Sequence, residues 1–203
     1  MFKDICALVV AAIMTGVAWR YGTQIHRREI EPPLSTWILF LVGVGVSLLF
    51  YGFEEDWDLV SGITNVVDVG VVLIVLVCIL LWGDRTVRFK RWERYYLAVG
   101  VLVVFYGFIS GDLWQSSLIG QALLVVGYIP IWHGMMVNKR NTESFTAWCM
   151  ALVAALVAIV PSVIEGNFLS AIYVIRALIS ILITLAFMTY YQRRTRRRQQ
   201  ATG

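Results

Sequence analysis

Charge is what this chain has least of. Of its 203 residues only 15% are Asp, Glu, Lys or Arg, while 59% are hydrophobic and the mean hydropathy is +0.74. Ordinary soluble domains carry about 25% charged residues, so this composition cannot clothe a globule in water. A soluble enzyme, a disordered tail and a collagen-like chain are excluded. Cysteine is scarce as well: Cys6, Cys78 and Cys149 are odd in number, far apart and set in apolar stretches, which excludes a disulfide scaffold. The two histidines, His26 and His133, cannot make a histidine-rich metal site. There is no HExxH, no phosphate-binding glycine loop, and no Ser or Cys nucleophile with a nearby His and acid. We therefore expect no enzyme, no cofactor and no metal.

What the chain does have is long apolar runs. A helix crossing the hydrocarbon core needs about 20 apolar residues at about 1.5 Å each. Charged and turn residues divide the chain into seven such stretches: Ile5–Arg20, Thr36–Phe53, Leu59–Trp82, Tyr95–Ser110, Leu113–Val137, Thr146–Ser162 and Phe168–Tyr191. The first and fourth are short. The connections leave no room for an extramembrane domain, so the expectation is a single all-α membrane domain over residues 1–203. The first stretch is not read as a cleaved signal peptide. Its charged start, Lys3 and Asp4, is weak, and no small-x-small site precedes Trp19-Arg20-Tyr21.

Charge placement predicts orientation. Fifteen of the 17 basic residues fall in the connections Arg20–Leu34, Gly83–Arg94 and Asn138–Ser144 and in the tail Arg193–Arg198. Asp4, Glu54, Glu55, Asp56, Asp58, Asp112 and Glu165 lie on the other side. Short basic connections stay in the cytoplasm, so the N-terminus is expected outside and the C-terminus inside. Trp19, Trp37, Trp57, Trp82, Trp92, Trp114 and Trp148 sit near span ends, as an interfacial belt requires. The arginine tail suits anionic lipid of the cytoplasmic leaflet, worth about 1 kcal/mol per basic residue, better than nucleic acid. A bacterial inner membrane fits this layout, and a homo-oligomer is left open.

Sliding the chain against itself by 111 residues brings Gly16 onto Gly127, Arg28 onto Lys139, Ser35-Thr36-Trp37 onto Thr146-Ala147-Trp148, and Glu54 onto Glu165. The spans then divide into a first repeat over about residues 1–82, a linker helix over about 95–110, a second repeat over about 113–192, and a basic tail over 193–203. An odd number of spans per repeat plus one extra makes the repeats parallel, the arrangement of SWEET sugar transporters. With Tyr128-Ile129-Pro130 near the inner end of the fifth span, the chain resembles the SWEET/PQ-loop superfamily, which includes PnuC-type transporters and the KDEL receptors. The family's Pro-Gln pair falls near that place, although Ile131 follows Pro130 here. The resemblance implies a 3+1+3 helix arrangement, alternating access, a proline hinge at Pro130, and an asparagine from each third helix in the substrate site. Asn65 matches that pattern; its repeat counterpart is Arg176. Microbial rhodopsins are excluded, because Lys3, Lys90 and Lys139 all lie outside the spans.

Two ionisable residues fall within spans, Asp68 and Arg176. Each costs at least about 2.5–3.5 kcal/mol at a bilayer centre, which marks both as functional candidates. We expect Asn65, Asp68, Tyr173 and Arg176 to line a pathway, with the arginine clamping an anionic group and a charged or zwitterionic substrate favoured over a sugar. The competing structural reading is an Asp68–Arg176 ion pair locking the repeats. Gln121 either lines the pathway or bonds a neighbouring helix, Pro161 is expected to stop the sixth span, and His133 is expected at the interface. The expected function is a transporter of a small polar metabolite. The alternatives are a non-transporting receptor or sorting protein on the same scaffold, and a structural subunit contacting a complex through Gly43-Val44-Gly45.

Overall fold

The computed structural model describes residues 2–53, 63–83, 91–164, 166 and 168–202, and all regular structure among them is helical. Eight segments follow in order: α1 (Phe2–His26), α2 (Leu34–Gly52), α3 (Ile63–Trp82), α4 (Arg91–Ser110), α5 (Leu113–Gly127), α6 (Ile129–Asn138), α7 (Phe145–Ile164) and α8 (Phe168–Thr202). Five stretches are long and apolar enough to cross a membrane: α1, α3, α5 with α6, α7 and α8. Shorter apolar stretches, Leu34–Phe50 and Arg94–Ser110, lie in α2 and α4. This composition is compatible with an integral membrane protein. The acidic group Glu54, Glu55, Asp56 and Asp58, with Trp57, Arg85, Arg88, Lys90, Glu165 and the expected start of the third span at Leu59, lies outside the described residues.

Several expected boundaries move. The first span does not end at Arg20: Tyr21 and Ile25 are almost wholly buried, and the helix runs on to His26. Burying such side chains is worth about 1.5–3 kcal/mol each, enough to carry the helix past an arginine left on the exposed face. The fourth span begins at Arg91 rather than Tyr95. The arginine tail is helical to Thr202, as its content of Arg, Gln and Ala allows. Pro161 does not stop the sixth span, because α7 continues to Ile164 and the Ser162 hydroxyl donates to the Ala158 carbonyl at 3.0 Å. The fifth span breaks at Tyr128, two residues before Pro130, which occupies the first turn of α6, where its missing N–H costs least.

Two helix ends are alike. Arg28 after α1 (φ 56°) and Lys139 after α6 (φ 52°) both take the left-handed conformation that commonly closes helices. The next helices start at Leu34 and Phe145. Each pair is separated by the 111-residue repeat interval.

Packing follows the same pattern. α3 lies on both α1 and α2; α8 lies on both α7 and the α5–α6 pair. Between these groups, α1 packs on α7 and α2 packs on α5. Glycine permits both crossings: a Cβ at Gly16 would come 2.7 Å from Met150 Cε, and one at Gly127 would come 3.1 Å from Phe40 Cδ1. α4 stands apart, docked on α2 and α5 through Leu39, Val46, Phe50, Tyr96, Val103 and Leu123. Leu73, Val77 and Leu80 of α3, Leu102, Phe105 and Ile109 of α4, and Ile179 and Leu182 of α8 are exposed. So broad an apolar exterior suits lipid rather than water.

The Tyr96 hydroxyl anchors α4, within donor reach of the Leu123 carbonyl at 2.8 Å and the Leu39 carbonyl at 3.2 Å. Tyr96→Phe is expected to cost about 1 kcal/mol, the net worth of one such bond, with helical content by circular dichroism unchanged. An unchanged melting temperature would remove this bond from the account of how α4 docks.

Candidate functional site

The helices α1, α2, α3, α5, α7 and α8 surround a cavity of ≈ 90 Å³. At a liquid share of about 30 Å³ each, that is room for about three waters. Its two ends differ chemically. One end carries Thr64, Asp68, Tyr173 and Arg176, from the first halves of α3 and α8. The other carries Tyr21, Trp37, Phe40, Tyr128 and Trp148, close to the connections that hold Arg27, Arg28, Lys139 and Arg140. We call this second one the basic end.

Four pairs of lining residues are separated by the repeat interval: Val17 and Tyr128, Trp37 and Trp148, Phe40 and Ala151, Val44 and Ala155. Trp37 and Trp148 therefore do not belong to the interfacial belt expected of them. Each is buried, each lines the cavity, and neither indole N–H has a partner among the described residues. Proximity to a span end does not say which way a ring faces; here the α1–α7 and α2–α5 crossings turn both inward. Trp19, Trp82 and Trp114 are exposed as a belt requires.

All five polar residues expected to line a pathway meet in one circuit of contacts. Asn65 of α3 donates to Ser47 Oγ of α2 at 3.2 Å, and Gln121 of α5 donates to the same oxygen at 2.6 Å. The Gln121 carbonyl accepts from Arg176 Nε of α8 at 3.2 Å. The guanidinium carbon lies 4.6 Å from the centre of the Tyr173 ring, one turn away, in cation–π contact. The Tyr173 hydroxyl donates to Asp68 Oδ2 at 2.6 Å, which returns the circuit to α3 one turn from Asn65. Four helices are tied together without a solvent-facing link.

The roles within the circuit divide. Asp68, Tyr173 and Arg176 line the cavity; Asn65 and Gln121 stand behind them and orient them. Gln121 thus takes the interhelical of its two readings. Arg176 and Asp68 form no direct ion pair: the tyrosine stands between them, bonding one through its hydroxyl and the other through its ring. Two buried polar atoms remain without a partner among the described residues, Arg176 Nη2 and Asn65 Oδ1. An orphaned donor on a cation in a low-dielectric cavity costs about 1–3 kcal/mol or more, a cost that a bound acceptor removes.

Two contributors carry little signal in the sequence. Ser47 is the hub of the circuit, yet a lone serine in an apolar helix ordinarily bonds its own backbone. Glu143, in the α6–α7 connection, reads as a solvated acid among basic neighbours; it is 2% exposed and accepts a hydrogen bond from Tyr21. The one available hint was its place as the only acid in that connection. No protein-family model matches this chain, and no curated protein does.

Proposed function

We propose that this protein is a membrane transporter that moves a small polar metabolite by alternating access. The observation that carries the reading is the cavity between two matching three-helix groups, with a cation, a carboxylate and an orphaned guanidinium N–H at one end. Around it the third helix of each group lies on the other two, α1 meets α7 as α2 meets α5, and left-handed caps recur at the repeat interval. That pattern supports the 3+1+3 arrangement and the SWEET/PQ-loop likeness, with α4 as the linker. A cavity of ≈ 90 Å³ holds no metabolite, so the conformation described is a closed one and loading requires the groups to rock apart. The α5–α6 break at Tyr128, next to Pro130, supplies a point at which the fifth span bends.

In this reading the basic end faces the cytoplasm and the N-terminus lies outside, in a bacterial inner membrane. Arg176 binds an anionic group of the solute, and Asp68, held by Tyr173, binds a cationic or hydroxyl group. Carboxylates and zwitterions are thereby favoured over neutral sugars. The test starts with a thermal-shift screen of the purified protein against carboxylates, amino acids, nucleosides and sugars. The hit is then followed by radiolabelled uptake into proteoliposomes. Uptake that saturates and counterflows is the expected result. Binding without flux would sink the transporter and establish a receptor on this scaffold.

A further inference from the structure

One buried acid has no part in the polar circuit. Glu143 lies in the connection between α6 and α7 at the basic end of the cavity, and its placement is built rather than incidental. The Asn141 side chain donates to the Glu143 carbonyl at 3.0 Å and accepts from the Glu143 N–H at 3.0 Å. Ser144 Oγ then accepts from the Ala147 N–H at 3.3 Å, capping α7. These bonds fold the connection tightly and turn the Glu143 side chain inward. There Oε2 accepts from the Tyr21 hydroxyl of α1, and Oε1 has no partner among the described residues. Tyr21 lines the cavity, is 2% exposed, and rests edge-on against Trp37 with ring centres 5.1 Å apart. The Tyr21–Glu143 bond therefore joins the two three-helix groups across the basic end.

No cation compensates this carboxyl. Arg140 of the same connection reaches Glu31 at 3.5 Å, and Arg27 reaches Glu29 at 3.8 Å. Lys139 is exposed. α2 and α7 present Trp37 and Trp148 to this region, and neither helix contains a charged residue. Tyr21 is the one titratable group in contact with Glu143. A carboxylate is acceptor-only and costly to bury unpaired, whereas the neutral acid has an O–H of its own and no charge to desolvate.

We propose that Glu143 is a proton-binding site that couples closure of the basic end to protonation: neutral Glu143, held by Tyr21, bolts α1 to the α6–α7 connection, and ionisation opens the bolt. On opening, the carboxyl meets water and gives up its proton to it, so one proton leaves for each bolt released. The role assigned to this proton rests on the transport reading, whereas the titration itself does not. Burial raises the Glu143 pKa from 4.5 to about 7, outweighing the Tyr21 and Trp148 donors that lower it. Below about 4.5 the acid is neutral whether the bolt is made or broken. Between 4.5 and about 7 only the broken state ionises freely, so the bolted state loses ground as pH rises and is weakest above about 7.

The experiment is a pH titration of the full chain in lipid vesicles by infrared difference spectroscopy, with Glu143→Gln and Tyr21→Phe alongside. In the wild type a neutral carboxyl is expected to ionise near neutrality, and that signal is expected to vanish in Glu143→Gln. Loss of the Tyr21 donor is expected to move the midpoint upward. Hydrogen exchange of residues 141–147, corrected for the intrinsic pH dependence of amides, is expected to rise with pH in the wild type and stay flat in Glu143→Gln. A Glu143 that is ionised throughout, or the same corrected exchange profile in Glu143→Gln as in the wild type, would overturn the proposal. No substrate is needed, so a Glu143 that titrates as expected in vesicles that carry no solute leaves the site standing and removes only the transport reading.

Discussion

Arg176→Gln is expected to abolish ligand-dependent thermal stabilisation and to cut uptake by about 10–100-fold, while the apparent melting temperature without ligand stays level or rises. The asymmetry follows from what the guanidinium touches. It gives one bond to Gln121, rests on the Tyr173 ring, and leaves Nη2 buried and unpartnered. Removing a buried charge that is incompletely satisfied costs the fold little. Removing the donor that meets an anionic solute forfeits a charge-assisted bond worth about 1.5–3 kcal/mol, which is that 10–100-fold loss. Asp68→Asn keeps an oxygen to accept from Tyr173 but loses the charge, so it too is expected to fold and to lose cationic or zwitterionic ligands first. A structural lock makes the opposite prediction, with lower melting temperatures and uptake preserved. Undiminished transport by both variants, once shown to insert, would remove the circuit from the pathway.

Gly107→Ala carries the largest expected cost in stability. A Cβ at this position of α4 would lie 2.3 Å from Phe50 Cε1 and Cζ and 2.8 Å from Ser116 Oγ. Phe50 is wholly buried, and its flat ring cannot retract as a flexible methyl end would. Overpacking of this kind costs about 1–3 kcal/mol, a fall on the order of 5 °C in the apparent melting temperature for a chain of this size. A larger residue such as Leu is expected to undock α4 altogether. Phe50→Leu alone opens a void, but combined with Gly107→Ala it supplies room, so the double variant is expected to be less destabilised than the sum of the two. A Gly107→Ala protein that melts like the wild type would contradict the close approach of α4 to α2.

The two variants probe different levels of the molecule. Gly107 tests how the linker helix docks, and Arg176 tests what the bundle is docked around. Their expected signatures, stability lost with little direct effect on ligand recognition and recognition lost with stability kept, are separable in one thermal-shift series. Tyr96→Phe provides the intermediate case, a single hydroxyl at the α4 seam.

Much of this was legible from the sequence because it is local. Apolar runs of about 20 residues report spans directly, since every backbone group in lipid must be satisfied within its own helix. Asn65, Asp68, Gln121, Tyr173 and Arg176 stand out because polar groups in such runs are costly. The repeat interval was readable from Trp37 and Trp148, and from Arg28 and Lys139, whose identical backbone conformation the sequence could not report.

What only the tertiary structure decided depends on which surfaces face one another. Hydropathy places Trp37 and Trp148 near span ends but carries no direction, and their burial comes from two helix crossings made possible by Gly16 and Gly127. Ser47 becomes a hub only because α5 brings Gln121 to it, 74 residues away along the chain. Glu143 looks like a surface acid until the Asn141 turn and the Tyr21 contact, 122 residues distant, enclose it. Scarcity of charge told which kind of molecule this is. Long-range packing alone decided which of its few polar groups are left buried and incompletely satisfied, because burial is a property of neighbours that the local sequence does not contain.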